Sequence, residues 1–317
     1  MAIEAGNTVK GIFKGIAIIL LCASAFLLAS PASAAEKTVG VILSADTPFY
    51  KDIHRAFTEE LAKRGIKVKM LVQTPSPETV SWINAARKLV AIDVDVIVTY
   101  GDPVTAAAIS ETSSIPVIFA GVFDLDSVGM KGRKNVSGIS SKVPLIGIIK
   151  IMKDITNFGK LGIVYSSIEK ATVRQAEEIE GYGGKLGYAA VKFNVRRLGD
   201  ADKIRDVDAL FITTSCIAQQ CTDDVIGAAR KQKIPTATAV GGSEESGMVL
   251  TISADPAGQG REAAEMLARV IAGESPSAIP VVGQPKKVDM VINLKEATSI
   301  GVKVPFDILT SATRVIK

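Results

Sequence analysis

Short runs of Val, Ile and other apolar residues recur along the chain at 38–43, 67–72, 94–99 and 115–120. They recur again at 161–165, 189–193, 209–213, 234–237 and 248–252. Most are nearly continuous in apolar character, as strands buried on both faces of a parallel sheet must be. Between them, apolar positions repeat at helical spacing. Phe49, Ile53, Phe57 and Leu61 form one stripe; Val80, Ile83 and Val90 form another, broken by Arg87. Strand and helix alternating in this way predict an α/β fold with right-handed crossovers. Four junctions, Thr47-Pro48, Ser76-Pro77, Asp102-Pro103 and Asp255-Pro256, each place a capping side chain before a proline. Proline suits the first helical position, where a neighbouring Thr, Ser or Asp accepts free N–H groups.

The chain divides near 136–142, after Gly129, Gly132 and Asn135, and a second strand–helix series runs from there to Ile252. Beyond it, Ala257, Gly260, Ala264, Leu267 and Ile271 mark a helix over 257–272, with Glu262, Glu265 and Arg269 off its stripe. Pro276 and Pro280 follow, then a strand at 287–293 and a short closing helix.

The front end reads as a secretory signal peptide over residues 1–34. Lys10 and Lys14 precede an apolar run from Gly15 to Ala29, and Ala32-Ser33-Ala34 is a small-x-small cleavage site. About fifteen apolar residues fall short of the roughly twenty that a spanning helix needs. Leu21 before Cys22 disfavours lipidation, which wants a small residue there. The expected location is therefore periplasmic or otherwise extracytoplasmic.

Cleavage would leave 283 residues with 35 basic and 32 acidic side chains. That length exceeds what one core usually organises, so two lobes are expected. The charge balance argues against nucleic acid as a partner. Cys216 and Cys221 would be the remaining cysteines. Residues five apart on one continuous helix cannot be bridged. Thr222-Asp223-Asp224 resembles a helix start, so 214–221 reads as a loop, and a small-loop disulfide is favoured over two free thiols. His54, placed on the exposed side of the first helix, is the chain's single histidine. A metal site is therefore disfavoured, as is a Ser–His–Asp or Cys–His catalytic set. No phosphate-binding Gly-rich loop occurs, and no cofactor is expected. The chain does not read as an enzyme.

The tail resembles that of a family of solute-binding proteins serving ABC transporters, in the tryptophan- and tyrosine-binding-like branch. The likeness is carried by Gly260-Arg261, Gly273-Glu274-x-Pro276, Ile279-Pro280, Val291-Ile292-Asn293, and Gly301 with Pro305. It extends through 115–122, 135–140, 161–165 and 208–212. The resemblance implies a type I periplasmic binding protein: two doubly wound, Rossmann-like lobes joined by three crossovers that serve as a hinge. It implies an N-terminal lobe of 36–140 plus 254–281 and a C-terminal lobe of 141–253 plus 282–317. It also implies a monomer that captures a small molecule for delivery to an ABC permease: an amino acid, the aromatic ones being included in the class. The alternative is a periplasmic sensor that presents its ligand to a membrane receptor.

In open parallel sheets, ligands bind beyond the carboxyl ends of the strands, near helix N-termini. In the first lobe that rule selects Ser44, Asp46, Tyr50, Tyr100, Gly101, Asp102, Gly121, Val122 and Asp124. In the second it selects Ser166, Ser167, Thr214, Ser215 and Gly242, with Asp255 at a crossover. Each has a structural alternative. For Asp102 and Asp255 it is a helix cap, for Asp124 a turn former, and for Gly121 and Gly242 a positive-φ position. Phe49 belongs to the core. Hydroxyls, amides, an Asp and aromatic rings would suit a small zwitterion.

Overall fold

The computed structural model describes residues 36–197 and 199–317, so the leader expected at 1–34 lies outside the described residues. Two sheets organise the chain. The first has the order β2-β1-β3-β4-β5, all parallel, built from β1 (Lys37–Leu43), β2 (Val68–Gln73), β3 (Val96–Tyr100), β4 (Val117–Val122) and β5 (Val136–Ser140). Strands β3, β4 and β5 are buried at every position, the expected consequence of covering a sheet on both faces.

The helices of this lobe are α1 (Pro48–Lys63), α2 (Thr79–Ala91) and α3 (Asp102–Glu111). The stripe expected on α1 is its buried face. On α2 the buried face lies one residue, about 100°, away from the expected stripe. Trp82, Ala85, Ala86 and Leu89 are buried, whereas Val80 is 67% exposed. The reason is local: Gly40 on β1 leaves a hollow that the Leu89 side chain fills, and this sets the rotation of α2.

The second sheet has the order β12-β11-β10-β9-β8-β6-β7. Its strands are β6 (Lys160–Tyr165), β7 (Ala189–Asn194), β8 (Ala209–Ile212), β9 (Thr236–Thr238), β10 (Leu250–Ala254), β11 (Val288–Asn293) and β12 (Arg314–Ile316). All neighbours are parallel except β10 and β11, which run antiparallel. The helices that follow in the chain are α4 (Leu145–Ile155), α5 (Lys170–Gly181), α6 (Gly183–Leu186), α7 (Cys216–Gln220), α8 (Thr222–Gln232), α9 (Pro256–Ile271), α10 (Leu294–Ser299) and α11 (Phe306–Ser311); all but α9 accompany the second sheet. Among the described residues no helix is long and apolar enough to cross a membrane.

Helix α9 belongs by packing to the first lobe, although β10 before it and β11 after it lie in the second sheet. Gly260 is what lets it approach. A Cβ there would run into the backbone of α1 at Ile53 and Phe57, so a larger residue would force the two helices apart. The chain thus passes between the sheets at three places: after β5, between β10 and α9, and after Val282, which bridges to Ile139. Gln259 ties two of these together, accepting the Gly121 N–H at 2.9 Å and donating to the Ser140 carbonyl at 3.0 Å.

The cap expectations divide. Asp255 caps α9, accepting N–H bonds from Ala257 and Gly258, both at 3.1 Å. Ser76-Pro77 does not start a helix, because α2 begins at Thr79. The loop expected at 214–221 is also corrected. Cys216 opens α7 and Cys221 follows its end, so their side chains point apart and both thiols are free. Cys216 joins the first lobe's apolar cluster and Cys221 a separate one under β8.

Candidate functional site

A cavity of about 270 Å³ lies where the C-terminal edges of the two sheets face each other. The first lobe supplies Thr79, Trp82 and Ile83 from α2 and Asp102, Pro103 and Ala106 from α3; the second supplies Ile168, Glu169, Lys170 and Thr214. The mixture of an indole ring, aliphatic side chains and a few polar groups is typical of a small-molecule pocket.

Two carboxyl groups dominate its electrostatics. Asp102 does not cap its own helix. Its carboxylate instead accepts the N–H groups of Phe123 at 3.0 Å and Asp124 at 2.8 Å, fixing the loop after β4. Burial outweighs these bonds and pushes its pKa up to about 7. Glu169, 4% exposed, lies at the start of α5. It accepts the Ser215 hydroxyl at 2.5 Å and the Cys216 N–H at 2.9 Å, so it serves as the anion at the N-terminus of α7. Burial raises its pKa as well. Lys170, the cation on the wall, is solvent-exposed.

Behind the wall, the Ser44 carbonyl accepts the Trp82 indole N–H at 2.8 Å and so orients the ring. The Ser44 hydroxyl is fully buried without a hydrogen-bond partner, as is that of Ser166. Gly101 adopts φ +101° and ψ 164°, and a Cβ on it would lie 2.5 Å from both Ser44 Oγ and Tyr50 Oη. Tyr50 Oη in turn meets Cys216 Sγ at 3.9 Å across the lobes. Burial pushes both the phenol and the thiol well above their usual ranges, with the nearby carboxylates adding to the effect.

Of the residues selected by sequence, Asp102 and Thr214 reach the wall. Thr214 is held in place by Gln175, which donates to its hydroxyl at 2.6 Å and accepts its N–H at 3.1 Å. Ser44, Tyr50, Gly101 and Ser215 form the layer behind. The others have different neighbours. Tyr100 turns into the first lobe, its hydroxyl 3.3 Å from His54 Nδ1 and its ring against Phe57. This contact makes His54 half-buried rather than exposed, and burial lowers its pKa. Asp46 pairs with Lys51 at the surface, and Ser167 bonds Asn194 on β7. Gly121 gives its N–H to Gln259, and Val122 gives its carbonyl to Ser141. Asp124 meets Arg174 of α5 at 2.6 Å, an ion pair that joins the lobes; Asp126 adds a second contact at 3.4 Å. Gly242 packs on Pro48 and Phe49, another contact between lobes, and Asp255 caps α9.

Trp82 and Glu169 were missed by sequence reasoning, though both carried a signal. Trp82 is the chain's single tryptophan and lies in the first turn of the helix after β2, a strand end the loop rule covers equally. Glu169 lies two residues past Ser167, just before α5.

A family model described as ABC transporter substrate binding protein matches residues 38–316. No curated protein sequence matches the chain. Among solved structures, an ABC domain in complex with L-Trp from Streptococcus pneumonia is similar with a TM-score of 0.83 and 25% identity; the match covers 89% of this chain and 100% of that one. A conserved domain protein from Vibrio cholerae is similar with a TM-score of 0.82 and 23% identity, over 88% of this chain and 99% of that one. A ligand-free, open substrate-binding protein with adhesive properties from Clostridium difficile is similar with a TM-score of 0.64 and 21% identity, over 89% and 99% of the two chains. Two α/β lobes with largely parallel sheets match the periplasmic binding protein fold.

Proposed function

The chain belongs to the ABC transporter substrate-binding protein family, and on that premise we propose that it is an extracytoplasmic carrier that closes on an amino acid with an aromatic side chain and hands it to an ABC permease. The observation that carries this reading is the cavity between the lobes, with Trp82 on one wall and Asp102 at its edge. Asp102 would take the ammonium group. The first turn of α5, with Lys170, would take the carboxylate, since a helix N-terminus presents free N–H groups and a favourable dipole. Trp82, Ile83 and Ile168 would hold the ring, aromatic pairs adding about 0.5–1.5 kcal/mol beyond the area they bury. The bound tryptophan of the streptococcal relative supports the same class. The three crossings, tied by Gln259, would act as the hinge, and the Arg174–Asp124 pair would help hold the closed state.

Thermal-shift screening against L-tryptophan, L-tyrosine, L-phenylalanine, purines and polyols tests this reading. A solute at a hundredfold excess over its dissociation constant adds about 2.7 kcal/mol of stability. At least one aromatic amino acid is expected to raise the melting temperature. Stabilisation by polyols alone would overturn the ligand assignment while leaving the carrier role intact.

A further inference from the structure

The cavity brings together two buried carboxyl groups, one from each lobe, and neither has a cationic partner among the described residues. The groups that face Asp102 are acidic or neutral: Asp124 beside it, Glu169 across the cavity, and Tyr50 and Cys216 behind. Lys170 remains in solvent. Apart from Arg174, which pairs with Asp124 and Asp126, the contacts named above that join the lobes here are neutral: Tyr50 with Cys216, and Gly242 with Pro48.

From this arrangement we propose that Asp102 and Glu169 form a charge gate: closing the lobes buries two carboxylates that accept hydrogen bonds but lack a cationic partner, so closure requires a solute that brings a cationic nitrogen between them. The inference rests on the two-lobed carrier reading and narrows it. Amine-bearing solutes close the clamp, whereas neutral sugars and polyols do not. A proton can substitute for the solute's charge. Burial holds the Asp102 carboxyl at about 7 in this structure, where Tyr50 of one lobe meets Cys216 of the other, against about 4 in water. The ionised form therefore opposes closure fully above pH 7, and the opposition fades as pH falls from 7 toward 4. Between pH 8 and pH 5 the closure equilibrium of the ligand-free protein shifts toward closed by roughly a hundredfold, with Glu169 acting in the same direction.

Small-angle X-ray scattering of the purified protein between pH 5 and 8 reads the gate without knowledge of the natural ligand. The radius of gyration is expected to fall with pH in the wild type and to be small throughout in Asp102→Asn. Glu169→Gln, checked for intact fold by circular dichroism, should shift the transition in the same sense. A radius that is flat with pH and identical in wild type and both variants would overturn the gate. At pH 8, L-tryptophan and myo-inositol separate the gate from the carrier reading. Closure by myo-inositol would overturn the gate and leave a carrier. Acid closure with binding of neither solute would support the gate and count against the aromatic amino acid.

Discussion

Replacing Gly101 with alanine perturbs the floor of the cleft at one point. Gly101 sits at φ +101° and ψ 164°, a region of backbone space nearly exclusive to glycine, where other residues cost about 1–3 kcal/mol. The added Cβ also falls 2.5 Å from both Ser44 Oγ and Tyr50 Oη. Neither neighbour can retreat easily. Ser44 is held by its N–H bond to the Tyr100 carbonyl and by Trp82, and the Tyr50 ring is buried edge-on against Phe49. Overpacking of this kind adds about 1–3 kcal/mol. The total is roughly 2–6 kcal/mol, which at about 2–4 °C per kcal/mol lowers the melting temperature by roughly 5–20 °C. Calorimetry of Gly101→Ala measures the sum, and adding Tyr50→Phe separates the parts. Removing Oη should return about 1 kcal/mol of the overpacking and none of the backbone strain, a coupling that a double-mutant cycle reads directly. Solute affinity should also fall, since Ser44 orients Trp82 and Gly101 precedes Asp102. A melting temperature within about 2 °C of the wild type would refute the packing described here.

Gln259→Leu leaves the Gly121 N–H and the Ser140 carbonyl buried without partners, and should lower the unfolding free energy in urea by about 3 kcal/mol; a loss below about 1 kcal/mol would show that these groups find other partners. Arg174→Ala removes a half-exposed ion pair, so solute affinity should fall less than about fivefold, with the difference vanishing at high salt; a hundredfold loss would place Arg174 in the cleft instead. Mass spectrometry without reductant should give the full reduced mass, and Cys216 and Cys221, both buried, should alkylate only after unfolding; a two-dalton deficit would restore the disulfide.

The alternation of strands and helices was legible because burial on both faces writes a continuous apolar run, as in β3 and β4. Strand ends were less legible. An apolar run marks burial, whereas a strand ends where its ladder does, so β3 begins at Val96 and not at Val94. Strand β12 has three residues, too few for any period, and α7 has five, too few to separate from a loop. At the site, the rule that ligands gather at strand ends located Asp102 and Thr214. It could not tell Tyr100, whose ring turns toward His54, from a residue facing the cleft, because direction at a strand end depends on packing against α1. Glu169 was hidden for a related reason. It reads as an ordinary residue at the start of a helix, and only the fold brings α7 to its carboxylate.

Trp82 offers the most direct test of the claim that the lobes close on an amine-bearing solute. It is the chain's single tryptophan, and it lies on the cavity wall. Its emission, excited where phenylalanine and tyrosine contribute little, should change saturably when L-phenylalanine or L-tyrosine is titrated in at pH 8. The same titration should show weaker binding at pH 5 and loss of the response in Asp102→Asn. Calorimetric binding of either amino acid with no change in Trp82 emission would contradict the account, because the solute would then be held somewhere other than between the lobes.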